Sequence, residues 1–363
     1  MTGHAMTVHL LGLPNAQTTK EYSLCGFTQA TIRFGQILHD LGHEVYLYAS
    51  EENIIPCKEL ITCIHKEEIN SLLRMGPWKD KFQYQYAHIE EWSPLFQIFN
   101  SRAEQAIAKR KQPRDIICQI GGYSQKYVSE NHKDLQTVEW SIGYLGSFSD
   151  YRIFESSAWM HSTYGMMNNQ QVRYYDDVIP CPIDPDDFHF TEKPEDYFVF
   201  VGRLTPRKGV GVACDIATRA GVKLKIIGHG EPSQITGGHE YLGPMSMKEK
   251  NEVMSKAIAM IAPTQYIEPH GVAQTEAQIS GVPLITTNAG GFMETIEQGK
   301  TGFRCSTMKE FVAACKQVET LDRNYIRKHG LERYSMHNLK HDYQRYFERL
   351  KTLWTTDGWY SMA

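Results

Sequence analysis

With 363 residues, 41% of them apolar, the chain is long enough for two ordinary domains, each with its own core. Its 38 Lys and Arg against 42 Asp and Glu leave a formal charge of -4, which excludes a global positive field for holding nucleic acid or an anionic membrane. The eight cysteines, at positions 25, 57, 63, 118, 181, 214, 305 and 315, form no CxxC pair and no metal-type spacing to histidine, so they read as reduced, mostly buried thiols of a cytoplasmic protein. Met1 to Val8 lacks the basic and apolar regions of a signal peptide, and no run approaches the roughly 20 apolar residues of a transmembrane segment.

The first elements read as strand, loop, helix, strand. Thr7 to Leu13 is an apolar run ending in Gly12, Pro14 and Asn15, and a loop follows to about Cys25 and Gly26. Apolar residues then recur at helical spacing from Phe27 to Leu41, Gly42 stops the pattern, and Val45 to Tyr48 is strand-like. An amphipathic segment from Ser93 to Lys109, a strand Ile116 to Ile120 closed by Gly121 and Gly122, and a strand Gln136 to Val138 come next. The alternation predicts a parallel, doubly wound sheet. Around Pro180, Pro182 and Pro185 the chain turns proline- and aspartate-rich, which places a domain boundary at 180 to 195.

The second half repeats the alternation: a strand Tyr197 to Val201, a helix Val210 to Ala220, a strand Leu224 to Ile227, a helix Lys248 to Lys256, a strand Ala257 to Ile261, a helix Val272 to Ser280 and a strand Pro283 to Thr286. Two Rossmann-like halves result. A last helix, His341 to Trp354, carries Tyr343, Tyr346, Phe347 and Leu350 on one face.

In open parallel sheets ligands bind beyond the carboxyl ends of the strands, so the loops there carry the functional signal. Gly202, Arg203, Leu204, Thr205, Pro206, Arg207, Lys208 and Gly209 follow one strand: a glycine-bounded loop whose cations suit a pyrophosphate, or a solvated basic turn. Gly228, His229 and Gly230 follow the next, where glycine would let backbone approach a ligand. The third loop runs from Ala262 through Glu268, Pro269, His270 and Gly271 to Val272 and Glu276. Pro269 suits a first helical turn, so the N–H groups of His270, Gly271 and Val272 are expected to point out of the helix end as an anion site. Glu268 and Glu276, eight apart, would lie about 12 Å from each other on a helix. That separation is too long for an acid/base pair but suits two ends of one extended ligand, with its diphosphate between them.

The order Gly-Arg-Leu-x-x-x-Lys-Gly, a Gly-x-Gly turn, Pro-Thr, Glu-Pro-x-Gly-x4-Glu-Ala, Gly281-Val282-Pro283 and Gly290-Gly291 resembles the family-four retaining glycosyltransferases of GT-B fold. Gly42-His43-Glu44-Val45, and Val178-Ile179-Pro180 with Ile183, Asp184 and Phe188, extend the resemblance over nearly the whole chain. It implies two Rossmann-like domains with parallel sheets facing across a cleft: residues 1–185 on the acceptor side, 190–338 for the nucleotide-sugar donor, and 339–363 crossing back to the first domain. It further implies that Arg203 and Lys208 grip the donor diphosphate, Glu276 holds the ribose and Glu268 the sugar. Met245, in the turn Leu242 to Met245, would meet the base, with Lys250 a weaker candidate, and Gly26 would admit the diphosphate from the first domain. Where the family usually carries a sugar-contacting histidine or aspartate this chain has Glu139 and Trp140; Glu139 is either its replacement or a structural glutamate. The implied donor is GDP-mannose or UDP-glucose and the acceptor a glycan or other hydroxyl compound.

Asp184, Pro185 and Asp186 spell DxD, but in a proline-rich connector such carboxylates cap turns, and no metal is expected. Gly121-Gly122-Tyr123 and Gly143-Tyr144-Leu145-Gly146 read as turns or as acceptor contacts, Tyr144 among them. Ala158, Trp159 and Met160 read as core or interface, and surface aromatics allow a homodimer. A nicotinamide dehydrogenase is excluded because GxGxxG does not follow the first strand. A sugar-nucleotide epimerase of the same architecture and a non-catalytic sugar-nucleotide binder remain as alternatives.

Overall fold

A computed structural model describes residues 5–22, 25–73, 93–355 and 357; Trp78 and Trp92, whose spacing supports no reading, lie outside the described residues. The chain forms two compact units. The first holds the residues up to Phe154, Thr163–Pro182 and the stretch from Leu339 onward; the second holds Glu155–Ser162 and Ile183–Asn338.

In the first unit the described elements are β1 (Thr7–Leu11), α1 (Gly26–Asp40), β2 (Glu44–Ala49), β3 (Glu59–Thr62), α2 (Lys66–Leu73), α3 (Pro94–Ala108), β4 (Ile116–Gln119), α4 (Lys126–Glu130), β5 (Gln136–Ile142), β6 (Tyr151–Phe154), α5 (Ser157–Met166), which straddles the units, and β7 (Asp176–Val178). The strands form one parallel sheet in the order β3-β2-β1-β4-β5-β6-β7, so the winding direction reverses between β1 and β4. Apolar spacing in α1 puts Ala30, Phe34, Ile37 and Leu38 on its buried face, where Phe34 stacks on Trp140 with ring centroids 4.1 Å apart. Each such fully buried large side chain contributes roughly 1.5–3 kcal/mol.

The second unit contains β8 (Phe198–Val201), α6 (Val210–Ala220), β9 (Leu224–Ile227), β10 (Glu240–Gly243), α7 (Met247–Ser255), β11 (Met260–Ala262), α8 (Val272–Ile279), β12 (Leu284–Thr287), α9 (Phe292–Thr295), β13 (Gly302–Cys305), α10 (Met308–Gln317) and α11 (Arg323–Tyr334). Its parallel sheet has the order β10-β9-β8-β11-β12-β13, with the reversal between β8 and β11. Strand side chains alternate faces, and here both faces are buried, which explains the continuous apolar runs. Phe198, Phe200, Ile261 and Ile285 enter the layer beneath α6 and α10. Val199, Met260 and Leu284 enter the opposite layer, with Ile279 of α8 and Tyr334 of α11.

A last helix, α12 (Met336–Lys351), crosses back, and from Leu339 onward it clusters with the first unit. Tyr343, Tyr346, Phe347 and Leu350 are all buried; the Tyr343 ring lies 5.0 Å from that of Phe34, and the Tyr346 hydroxyl donates to the Tyr175 carbonyl over 3.0 Å.

Several boundaries differ from the sequence reading for identifiable reasons. β11 starts at Met260 rather than Ala257 because the Arg323 guanidinium takes the carbonyls of Ser255 and Ala257 over 2.7 and 2.9 Å. β5 runs on to Ile142 through a register shift, with Ser141 at φ 50°, so Glu139 lies inside the strand and not at its end. α12 begins at Met336, five residues before the expected His341.

Candidate active site

At the switch point of the second sheet, two loops leave the neighbouring carboxyl ends of β8 and β11. The first, Gly202 to Gly209, contains a single helical turn at Pro206–Lys208 and ends on Gly209 in the left-handed region at φ 78°. A Cβ on Gly209 would come within 2.1 Å of the Pro263 carbonyl oxygen, so only glycine lets this loop lie against the second one. Backbone bonds complete the assembly: Gln265 N–H donates to the Arg207 carbonyl (2.8 Å), and Leu204 N–H to the His229 carbonyl of the loop after β9 (2.8 Å).

This packing brings Lys208 onto Glu268. The Lys208 Nζ is 2.6 Å from Glu268 Oε2, with side chains only 21% and 8% exposed. The Tyr266 hydroxyl donates to the same oxygen over 2.8 Å, and the Arg207 guanidinium carbon lies 4.0 Å from the centre of the Tyr266 ring. Burial, with the neighbouring Glu268 charge, pushes the Tyr266 phenol far above its ordinary value, so it stays a hydrogen-bond donor. The backbone of Glu268 is pinned as well: Gly291 N–H donates to its carbonyl (2.8 Å), and the Ser156 hydroxyl donates to the Pro269 carbonyl.

Glu276 forms a matching pair. It sits on α8, and its Oε2 lies 2.6 Å from Lys250 Nζ, with side chains 7% and 13% exposed. Lys250 projects from α7, whose start is fixed by a reciprocal capping box between Ser246 and Glu249. Each of the two glutamates singled out by sequence is therefore neutralised by one lysine side chain, on either side of the α8 start. Near-buried carboxylates need such partners, and lysine, a flexible point charge, can exchange them.

The start of α8 corrects the expectation for Pro269. The helix begins at Val272 with Gly271 as its cap at φ 88°, so Pro269 and His270 precede it. Pro269 does not seed the first turn because Gly271, in the left-handed region, breaks the helical run between it and Val272; the Pro269 carbonyl accepts from the Ser156 hydroxyl, whose oxygen also takes Trp159 N–H over 3.0 Å. Gln274 and Thr275 N–H return to the Gly271 carbonyl, while among the described residues those of His270, Gly271, Val272 and Ala273 take no backbone acceptor. The N–H groups of His270, Gly271 and Val272 named from the sequence are among these four, with that of Ala273 added. The His270 side chain faces the core instead: it is 1% exposed, edge-on to Tyr334, and burial lowers it to about 3, so the ring is neutral.

The other expected residues divide. Arg203, half-buried on the first loop, adds its charge to the burial that lowers His229. Gly202 and Gly228 serve each other: at φ 152°, a Cβ on Gly228 would stand 1.8 Å from the Gly202 carbonyl oxygen, so close approach of two loops accounts for this glycine. Gly228 N–H also donates to Gly243 (3.1 Å), which ties the Leu242 to Met245 turn to the site loops while Met245 rests partly buried on the core. In the first unit, Gly26 opens α1 without a positive φ, and the place of its missing Cβ is open space to 4 Å.

Glu139 is a loop anchor. It is fully buried; Oε2 accepts from Phe148 and Ser149 N–H (2.7 and 2.6 Å) and Oε1 from the Tyr144 hydroxyl (3.3 Å). Burial raises it to about 7, against the lowering effect of those bonds. Both carboxylate oxygens are thus engaged in holding residues 144 to 149, and the Tyr144 hydroxyl is part of that arrangement. Asp184 caps the turn Pro185–Asp187 through Asp186 N–H (3.1 Å), as its place in the connector suggests; Asp186 and His337 lie close by, both exposed.

Sequence reasoning gave no role to Tyr266 or Ser156, took Arg207 only as one of the loop's cations, and ranked Lys250 low. For Tyr266 a signal existed, since in extended backbone residues two apart face the same side.

Comparison with known proteins follows the same geography. Residues 184–333, nearly all of the second unit, match the family described as glycosyl transferases group 1. A probable sucrose-phosphate synthase of Thermosipho melanesiensis is 25% identical over 46% of this chain and 44% of its own length. A glycogen synthase of Mycobacterium tuberculosis is 30% identical over 30% of each chain. The chain therefore spans less than half the length of these curated relatives. Among solved structures, the sucrose-phosphate synthase of Thermosynechococcus elongatus aligns over 96% of this chain and 99% of its own, with TM-score 0.65 and 15% identity. Anabaena HepE in complex with UDP-glucose aligns over 96% and 100%, with TM-score 0.64 and 15% identity. At such identities the likeness is one of fold.

Proposed function

Because residues 184–333 belong to the glycosyl transferases group 1 family on a GT-B fold, we propose that the chain moves a hexose from a nucleotide diphosphate sugar to a hydroxyl acceptor, with retention at the anomeric carbon and without a metal. The observation that carries this reading is the pair of lysine-neutralised glutamates, Lys208–Glu268 and Lys250–Glu276, flanking the α8 N-terminus. A nucleotide sugar offers hydroxyls at both ends and a doubly charged diphosphate in the middle. On this reading Glu268 accepts from the sugar, Glu276 from the ribose, and the diphosphate draws Lys208, Arg203 and the free N–H groups near Val272.

The chemical demand then falls on the leaving group. As the anomeric C–O bond breaks, negative charge grows on the departing diphosphate, and Lys208, Arg203 and the helix N–H groups are preorganised to offset it. The acceptor hydroxyl attacks from the same face and its proton passes to the departing oxygen. Glu268 positions the sugar and does not attack. Gly26 of α1 and the Met245 turn are assigned to diphosphate and base.

Of the two expected donors, UDP-glucose is favoured over GDP-mannose because solved neighbours include Anabaena HepE bound to UDP and to UDP-glucose. The acceptor is a glycan or glycoconjugate, the setting the cytoplasm; among the described residues no helix is long and apolar enough to cross a membrane. The exposed Tyr123 and Tyr127 are surface aromatics of the kind that suggested a homodimer, which sedimentation of the purified chain tests.

The decisive experiment follows UDP-glucose and GDP-mannose by NMR, with and without a panel of mono- and oligosaccharide acceptors and with EDTA present. Transfer with an axial product linkage, together with slow donor hydrolysis when no acceptor is added, supports the reading. Donor epimerised in the absence of acceptor points to an epimerase, and tight donor binding without any turnover to a binder.

A further inference from the structure

Glu268 Oε2 receives two donors, Lys208 Nζ at 2.6 Å and the Tyr266 hydroxyl at 2.8 Å, while among the described residues Oε1 receives none. A carboxylate turns readily about its last bond, because terminal torsions of this type have broad minima. Something must therefore fix which oxygen faces a ligand. Lys208 cannot do so throughout, because on the transfer reading it leaves Glu268 for the diphosphate. Tyr266 carries no charge to draw it to the phosphate, and its rigid ring is held by the Arg207 guanidinium 4.0 Å from the ring centre. Arg207 is itself tied down, its carbonyl accepting from Gln265 N–H at 2.8 Å.

We propose that Tyr266, braced by Arg207, is a positioning residue that keeps the Glu268 carboxylate oriented after Lys208 has moved to the diphosphate, so that Oε1 accepts from the donor sugar. This inference rests on the proposed transfer reaction and adds to it a residue acting through Glu268. It separates the two halves of donor binding: losing the phenol should weaken recognition of the sugar and leave recognition of the nucleoside diphosphate intact.

The test compares the full-length wild type with Tyr266→Phe by calorimetric titration, using UDP-glucose against UDP and, in parallel, GDP-mannose against GDP. A hydrogen bond to a charged group predicts about a tenfold or greater rise in Kd for the sugar nucleotide, with the sugar-free nucleotide within about twofold of wild type. Arg207→Leu, which keeps the hydroxyl but removes its brace, should show the same selective loss at about two- to threefold. Circular dichroism and the melting midpoint confirm that both variants fold. Unchanged sugar-nucleotide binding in Tyr266→Phe, or equal losses of sugar nucleotide and nucleotide, overturns the inference and leaves the transfer reading standing. A folded wild type that binds neither donor nor nucleotide overturns both.

Discussion

Glu139 in the first unit and Glu268 and Glu276 in the second are all buried, yet their carboxylates are satisfied in opposite ways. Glu139 takes two backbone N–H groups and a tyrosine from the loop it anchors. Glu268 and Glu276 take lysine side chains from other elements. Backbone amides cannot leave without unfolding their loop, whereas a lysine head can swing to a new anion while its glutamate accepts from a ligand hydroxyl. Burial alone therefore does not tell the two arrangements apart; the mobility of the partners does.

The largest test of that contrast is Lys208→Ala. Loss of a charge that offsets the leaving diphosphate should cut transfer by about 10²–10³-fold. Tyr266 still holds Glu268, so unfolding free energy should fall by only about 1–2 kcal/mol in urea titration. Unchanged turnover in a folded variant would remove Lys208 from the site.

Glu139 should register instead in stability against pH. Its folded value, about 7, lies above the ordinary 4.5, because burial disfavours the charged form. The stability it contributes is complete below about pH 4.5 and is lost as pH rises through about 7, a change on the order of 3 kcal/mol. Glu139→Gln can still accept the two amide bonds and removes the titration, so wild type should lose stability relative to this variant between about pH 4.5 and 7 in urea unfolding. Parallel pH curves would mean that burial does not govern this carboxyl.

Glu276→Gln keeps shape and loses charge. Donor affinity should drop about tenfold, and because Lys250 loses its counter-charge, unfolding free energy near neutral pH should also fall by about 1–2 kcal/mol. Smallest of all is Gly26→Ala, whose methyl enters open space on α1: folding should gain up to about 1 kcal/mol, with a donor Kd raised only a few-fold. A donor Kd unchanged within error would remove Gly26 from donor binding.

Much of this was legible because the second unit is locally consistent. The bounds of α6 and β9 agree with the sequence reading to the residue, since apolar runs and a closing glycine, Gly221, mark them. The doubly wound order and the loops after β8 and β11 followed from the same alternation. What stayed hidden depends on distant partners. Arg323 shortens β11 from 66 residues away, and Ser156 holds the Pro269 carbonyl from 113. Lys250 and Glu276, 26 residues apart, meet only once α7 and α8 are packed. For Glu139 the residues allowed two readings, and its burial and amide partners, set by the loop from 144 to 149, could not be read from its neighbours in sequence.

The central claim, that paired lysines hold Glu268 and Glu276 ready for a nucleotide diphosphate sugar, is tested most directly by calorimetric titration of UDP-glucose and GDP-mannose into wild type and the double variant Glu268→Gln, Glu276→Gln. Saturable binding of one donor by wild type and a loss of about a hundredfold in the folded double variant are expected. Equal affinity in both proteins, or no binding of either donor by wild type, would contradict it.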